Sequence, residues 1–468
     1  MNRITIEKSD ILIVGAGTAG IYFGWLMAKK GFSVIIIDKD QREKVGKRLD
    51  IIHFETNLMM ESGLPPVIEG TPDFVYSAEV GSVVSPDRKV IIKSGALQTV
   101  LRLPIFLKRM FKFLESEGVR FEFNCKFNEL IFKNNIIIGL FAEKEDKKIE
   151  FHARIVVDAS GTAGVIRTSL PHDYGIETFK LGPNDVMFVP LRYLKWIDSE
   201  KPRPNLVNIG LYHIAFLNPS YTENEAILGT GHPGSYEKAN KVLDDFLKTV
   251  NWPQFEVIKT EQGITPWRRP PYSLISDSFL CIGDAAAITR PYSGHGVTAT
   301  WNLCKIAEKV ISQALENNKE GFITKDLLWD INIKYFKGQG AEFAAMLTFL
   351  PILLNLTEKE MNFILKKINF LIENMNNLTS DLDIQITSGQ MMKLVGNILW
   401  GLISRKLSFN HVRKLLQANG LSKKIRKHYE IFPEDPANFD SWVQKAEELW
   451  NKKKVVIKKF PSVTIEYH

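Results

Sequence analysis

The apolar and polar positions along the chain fall into two rhythms. Short unbroken apolar runs come first, Ile11-Leu12-Ile13-Val14 and then Ser33 to Ile37, with a helically spaced stretch between them. Such runs predict strands buried on both faces, joined by a helix. Alternating segments follow. Glu79 to Val84 and Lys89 to Lys93 flank Pro86-Asp87 and predict a hairpin. From Pro104 to Glu117, Phe106, Leu107, Met110, Phe111, Phe113 and Leu114 recur at helical spacing until Gly118 stops the run. A strand over Val119 to Phe123 and a hairpin through Asn134-Asn135 come next, and Ile155 to Asp158 reads as a buried strand returning to the first sheet. Val186 to Gly231 is strand-rich and aromatic, which predicts an antiparallel sheet walling a cavity. A strand over Phe279 to Ile282 precedes a region, Val297 to Trp450, that is predominantly helical.

The chemistry sits where these elements meet. Gly15-Ala16-Gly17-Thr18-Ala19-Gly20 separates the first strand from its helix, and Asp38, with Lys39 beside it, ends the second strand. The first glycine makes the turn, the second lets backbone approach a pyrophosphate, and the third lets helix and strand pack closely; the acid accepts from a ribose. The helix directs its positive end at the phosphates. Two later stretches turn this dinucleotide site into a flavin site. One is Val157-Asp158-Ala159-Ser160-Gly161-Thr162 with Arg167. The other is Gly283-Asp284-Ala285-Ala286, followed by Pro291-Tyr292-Ser293-Gly294-His295-Gly296 and a helix opening near Val297. Asp284 can hold a ribityl or ribose hydroxyl, Gly294 and Gly296 let the chain lie flat on a ring system, and the helix faces flavin N1 and O2.

Composition narrows the class. The chain has 468 residues, 45% of them hydrophobic, enough for two or three cored domains. Three scattered cysteines, Cys125, Cys281 and Cys304, fit neither a disulfide framework nor a metal cluster, so no metal and a cytoplasmic setting are expected. The first strand begins too early for a signal peptide. The net charge of +7 is dispersed, so no nucleic-acid partner is expected. The longest apolar run, Phe343 to Leu356, contains Pro351 and falls short of the ~20 residues of a membrane span. It is a candidate for a helix lying at a membrane surface or for a core helix.

Together the three motifs resemble the flavoprotein group that includes aromatic hydroxylases, flavin-dependent halogenases and geranylgeranyl reductases, over about Ile11 to Glu316. Within it, Thr265-Pro266-Trp267-Arg268-Arg269-Pro270-Pro271-Tyr272, Leu328-Trp329-Asp330-Ile331-Asn332 and the helical tail look most like archaeal-type digeranylgeranylglycerophospholipid reductases. The resemblance implies an α/β fold: a discontinuous Rossmann-like FAD-binding domain (1–180 with an insert at about 50–105, resumed at 276–315), an antiparallel sheet domain for substrate (181–275) and a C-terminal helical region (316–468). It implies FAD, an isoprenoid lipid substrate, electrons from NAD(P)H or ferredoxin, and contact with the cytoplasmic membrane face. Two departures stand out. A Pro-Cys-Gly segment of similar reductases corresponds here to the stretch near Lys47-Arg48-Leu49-Asp50, which has no cysteine. Their Tyr-x-Trp-x-Phe-Pro motif appears as Tyr212-His213-Ile214-Ala215-Phe216-Leu217.

Reducing an alkene takes a hydride from the flavin and a proton from elsewhere. Tyr212, Ile214 and Phe216 fall on one face of a strand and are the expected substrate wall. His295 and Tyr212 are the candidate proton donors. Arg102, or Arg109 on the following helix, is the candidate partner of the pyrophosphate. Two other functions suit the scaffold: a monooxygenase or halogenase acting on an apolar or aromatic substrate, and a flavin-loaded lipid carrier without catalysis.

Overall fold

The computed structural model describes residues 5–47, 49–197, 206–210, 213–222, 224–248, 252–319, 321–367 and 388–457. In chain order the strands are β1 (Thr5–Val14), β2 (Val34–Ile37), β3 (Ile51–Glu55), β4 (Phe74–Val84), β5 (Ile91–Arg102), β6 (Arg120–Glu122), β7 (Lys126–Lys133), β8 (Ile136–Lys144), β9 (Lys147–Asp158), β10 (Val186–Trp196), β11 (Leu206–Gly210), β12 (His213–Pro219), β13 (Glu225–Pro233), β14 (Phe255–Pro266), β15 (Ile275–Ser276) and β16 (Phe279–Cys281). The helices are α1 (Thr18–Lys29), α2 (Thr56–Glu61), α3 (Leu103–Ser116), α4 (Tyr236–Lys248), α5 (Gly296–Asn317), α6 (Lys325–Tyr335), α7 (Ala341–Leu353), α8 (Glu358–Lys367), α9 (Ser388–Ile403), α10 (Phe409–Glu430) and α11 (Phe439–Ile457).

The first sheet runs β15-β16-β9-β1-β2-β6, with β7 and β8 attached through β9. From β16 to β6 every pairing is parallel, and the register aligns Ile37, Val14, Asp158 and Cys281 in one row. Ile11, Leu12, Ile13, Ile155, Val156 and Val157 are fully buried, as continuous apolar strands between helices must be. On the sheet's flank Tyr22 of α1 stacks on Trp301 of α5, ring centroids 4.2 Å apart. The apolar stripe of α3 (Phe106, Leu107, Met110, Phe111, Leu114) is buried as its spacing requires. Asn134 and Asn135 make the β7–β8 turn at φ of 53° and 61°, left-handed values that asparagine tolerates.

The second sheet runs β14-β10-β13-β12-β11-β4-β5-β3, antiparallel except for β11 with β4. The β4–β5 hairpin forms with Ser82 opposite Lys93 and Val84 opposite Ile91. One face, with Leu194, Trp196, Ala215, Leu217, Ala226 and Leu228, packs on Leu243 and Phe246 of α4. On the other face Leu191, Tyr193 and Ile227 meet Ile51 and Val100, although these come from opposite ends of the strand order. The sheet therefore curls on itself. Its two edges are bridged where the Asp50 N–H donates to both carboxylate oxygens of Glu261 at 3.2 Å, and Lys259 Nζ reaches Asp50 at 3.1 Å and Glu261 at 2.7 Å.

The helical tail is clasped to the first sheet by Asn332, whose side chain accepts from Leu274 N–H (2.9 Å) and donates to Ser273 Oγ (2.8 Å). Helix α7 carries most of the Phe343 to Leu356 run, and Phe343, Met346, Leu347, Leu350 and Ile352 are all buried. That run is a core helix, because it is apolar all round and neighbouring helices cover it. Among the described residues no helix is long and apolar enough to cross a membrane.

Inside the curl, Gly229 leaves room for Phe216 and Leu191 on the neighbouring strands. A methyl there would stand 2.4 Å from Phe216 Cζ and 2.6 Å from Leu191 Cδ2. Gly229→Ala should cost about 1–3 kcal/mol of stability in urea unfolding, and Phe216→Leu in the same chain should recover part of that loss.

Candidate functional site

The three glycine-bearing motifs converge at the carboxyl edge of the parallel sheet, because the strands that carry them end in one register row. Gly15 turns at φ 113°, and a Cβ there would lie 2.3 Å from Ala159 O, so β1 and the loop after β9 touch backbone to backbone. A Cβ on Gly20 would lie 1.9 Å from Gly15 O, and one on Gly283 3.1 Å from Ala19 Cβ. Gly17 and Gly161, by contrast, would meet nothing within 4 Å. Tight glycines thus hold the turn together, while open ones face the space where a ligand's phosphates would lie. Helices α1 and α5 both start at this edge without a side-chain cap, at Gly17 and His295, which leaves their first N–H groups for a ligand. Thr18 and Ala19 form the first turn of α1, and Val297 that of α5.

Asp38 accepts from Ala16 N–H and Asp40 N–H, both at 2.8 Å. Burial lifts its pKa above the ordinary value against these two donors. The acid is thereby pinned to the glycine turn, with the exposed Lys39 next to it. Asp284 is half-buried, and a methyl on Gly296 would stand 3.5 Å from its Oδ1 and 3.4 Å from Thr289 Oγ1.

Two expected contacts turn out differently. Asp158 is wholly buried, and its carboxylate accepts from Ser160 N–H (3.0 Å), Ser160 Oγ (2.6 Å), Ile166 N–H (3.0 Å) and Arg167 N–H (2.8 Å). It shapes the loop that presents Gly161 and has no face left for a cofactor. Arg102, expected at a pyrophosphate, is drawn instead to Asp50 (3.3 and 3.4 Å) and lies 5.2 Å over the Tyr221 ring. The β3–β5 pairing sets Arg102 opposite Ile51, one residue from that carboxylate. The alternative, Arg109, is held by the fully buried Asp73 at 2.8 Å.

The loop from Arg290 to Gly296 meets both sheets. A methyl on Gly294 would have only Thr265 Cγ2 of β14 near it, at 3.9 Å. His295 Nδ1 lies 3.8 Å from Glu55 Oε1 on β3. His53, two residues before Glu55, shares that face, and its buried Nε2 has no partner among the described residues. Thr289 Oγ1 is likewise buried and unpaired among the described residues. Orphaned polar atoms, open glycines and uncapped helices around one cleft are what a flavin dinucleotide would satisfy. The residues present fit FAD.

Sequence reading missed His53, and it named Arg167 and Arg268-Arg269 within their motifs without giving the clasps they make. Arg167, 1% exposed, donates to Ala285 O, Glu177 O and Phe179 O, tying the second motif to the third. Arg269 grips Glu177 through two 2.7 Å bonds, and Arg268 stands 3.4 Å over Phe179. The Trp267-Arg268-Arg269 stretch is therefore a buried fastener. Tyr212 lies outside the described residues, and Ile214 is described only through its backbone, which pairs with Ile209 and Gly231.

Burial, then the neighbouring His295, pushes His53 down to about 4; burial, then Arg290, does the same to His295. Unfolding returns both to their ordinary value, so between about 6.5 and 4 the unfolded chain binds more protons and stability rises with pH. Thermal melting temperature should fall on acidification through that window, with a shallower slope in His53→Gln/His295→Gln. Gly20→Ala should destabilise the apo chain and abolish FAD uptake. Gly17→Ala should leave the melt unchanged while weakening FAD in a fluorescence titration by about tenfold or more.

Comparison with known proteins places this geometry. Residues 8–312 match the family model described as the FAD binding domain. The digeranylgeranylglycerophospholipid reductase of Sulfolobus acidocaldarius is 23% identical over 466 residues, covering 93% of this chain and 96% of that protein. The digeranylgeranylglycerophospholipid reductase 2 of Methanococcoides burtonii is 25% identical, over 76% and 87% of the two chains. Among solved structures, a geranylgeranyl bacteriochlorophyll reductase-like protein of Thermoplasma acidophilum superposes with a TM-score of 0.68 at 16% identity, covering 84% of this chain and 96% of its own. A flavin-dependent brominase gives 0.62 at 16% identity, covering 86% and 100%. These structural likenesses speak for the fold alone. The family match spans well over half of the sequence and coincides with the glycine edge, the paired acids and the second sheet: the chain belongs to the FAD-binding-domain family of flavin-dependent oxidoreductases.

Proposed function

We propose that this oxidoreductase reduces carbon–carbon double bonds of a long isoprenoid lipid. The observation that carries the reading is the inner face of the curled sheet. Leu191, Ile227, Val100 and Ile51 form a packed apolar core, and the half-buried Leu49, Val189 and Phe216 at its margin make the apolar wall offered to a substrate. That wall lies beside the Gly294 loop, since Thr265 and Gly263 of β14 neighbour Gly294 and Leu49 respectively. An apolar surface next to a flavin suits a hydrocarbon chain better than a polar aromatic acid. The names of the reductase relatives support the same substrate class. In this reading 1–180 and 276–315 hold FAD, 181–275 with the insert at about 50–105 makes the substrate wall, and 316–468 forms the helical cap. Either NAD(P)H or ferredoxin serves as electron source.

Bound FAD, once reduced, supplies a hydride to one alkene carbon. The chain must exclude water, hold the alkene flat, and deliver a proton to the other carbon. His295 is a poor proton reservoir, because burial and Arg290 keep it neutral at pH 7. Tyr76 suits the task better. Its hydroxyl is buried with no partner among the described residues, and it belongs to the same apolar cluster as Leu191 and Phe216. Tyr76 and His53 both pair with Val100, so all three lie in a row on one face of β4-β5-β3. The two outer strands are about 10 Å apart, so a substrate lying across β5 would reach both. Burial keeps the phenol protonated throughout the physiological range.

The test is anaerobic. Dithionite-reduced protein should be reoxidised by a digeranylgeranylglycerol phospholipid, and mass spectrometry should show two hydrogens gained for each double bond lost. Reoxidation by oxygen alone, with hydroxylation of an aromatic substrate, would replace this reading with a monooxygenase. Tyr76→Phe should slow lipid-driven reoxidation by about a hundredfold or more. Its melting temperature should not drop, because the deleted hydroxyl has no bond to lose.

A further inference from the structure

The outer face of helix α9 is apolar, and among the described residues nothing covers it. Met392, Val395, Leu399, Trp400 and Ile403 are 74, 49, 55, 57 and 76% exposed. At about 100° per residue they share one side of the helix. The opposite side is well occupied: Ile398 and Leu402 pack on Phe363, Leu407 and Val412, and a Cβ on Gly401 would lie 2.8 Å from Phe363 Cε1. The helix is thus seated firmly with its greasier side outward. Phe409, 72% exposed at the start of α10, continues the apolar surface past the turn. Singly exposed apolar residues are ordinary, but a contiguous stripe bearing a tryptophan marks an interaction surface.

Charge identifies the partner. From Ser388 to Tyr429 every fixed charge is a lysine or arginine, and the first carboxylate is Glu430. Lys393, Arg405 and Lys406 are exposed beside the apolar stripe. Glu360 holds the α9–α10 turn from beneath, through Ser408 N–H (2.9 Å) and His411 Nδ1 (2.7 Å), and is itself buried, so it does not offset this surface. A protein groove would ask for acidic counterparts matched one by one. A bilayer asks only for apolar side chains at acyl depth, an aromatic ring at the interface and cations at headgroup level.

We propose that α9 and the turn into α10 form a docking surface for an anionic lipid bilayer, with the α9 stripe entering the headgroup–acyl boundary and Lys393, Arg405 and Lys406 resting on lipid phosphates. The proposal stands on this surface alone and does not depend on the alkene chemistry, although a substrate dissolved in a membrane would be reached from such a position.

Flotation of the full, FAD-loaded chain with phosphatidylcholine vesicles, with and without phosphatidylglycerol, tests it. The chain should float with the anionic vesicles, and tryptophan emission should shift to the blue by an amount largely lost in Trp400→Phe. Leu399→Asp/Ile403→Asp should abolish flotation while FAD content and lipid-driven reoxidation in detergent stay at wild-type levels. Lys393→Glu/Arg405→Glu/Lys406→Glu should weaken binding to anionic vesicles by about a hundredfold or more. The proposal is overturned if the wild-type chain ignores both kinds of vesicle or if the aspartate pair floats as well as the parent. It is equally overturned if light scattering shows a dimer dissolved by the aspartate pair with no vesicle binding, which would give the face to a second copy. Failure of reoxidation alongside intact flotation would count against the proposed reaction and leave the surface assigned.

Discussion

Backbone pressed against backbone at the carboxyl edge of the parallel sheet is the constraint on which the rest rests. Gly15 lies against the carbonyl of Ala159, and Gly20 lies against the carbonyl of Gly15. No side chain fits between them, so the register that lines up Ile37, Val14, Asp158 and Cys281 translates directly into three loops meeting at one place. Asp38 is tied to the turn through Ala16 N–H, and Arg167 ties the second loop to the third through Ala285 O. The cleft is shaped before any ligand enters.

The second sheet supplies the contrast. It closes through charge: Asp50, Lys259 and Glu261 join strands from its two edges, and Tyr193 donates to Glu261 at 2.8 Å. Tyr221 donates to Asp50 at 2.5 Å. The carboxylates are the buried members, at 13% and 6% side-chain exposure, while Arg102 and Lys259 keep 41% and 38%. A low-exposure carboxylate with several donors remains ionised, and the Asp50 pKa is held below its ordinary value by Tyr221, Arg102 and Lys259 against its burial. Polar closure at the rim leaves the interior of the curl apolar.

Much of the first sheet was legible because its signals are local. Ile11 to Val14, the glycine turn, the α3 stripe and the Asn134-Asn135 turn each declare their conformation within a few residues. What could not be read were properties made by partners distant in sequence. Asp158 looked like a cofactor ligand, but its lone pairs are filled by its own loop. Arg102 looked like a phosphate ligand, but Asp50 stands across a strand pair that only the fold creates. His53 and Tyr76 carry no motif, and the face they share follows from both pairing with Val100. The Phe343 to Leu356 run announced an apolar helix correctly without saying what would cover it, and the α9 stripe was hidden because exposure is not written in hydropathy.

The placement of β3, β4 and β5 in the second sheet also governs how the protein is made. Their hairpin emerges early, yet β11 and the strands beyond it, which complete that sheet, follow only after Val186, and β16 completes the first sheet only at Cys281. During synthesis the amino-terminal third must wait on the order of ten seconds or more for its partners. In that interval the free edge of β4 is open to mispairing, which makes this an assembly of long-range contacts finished late.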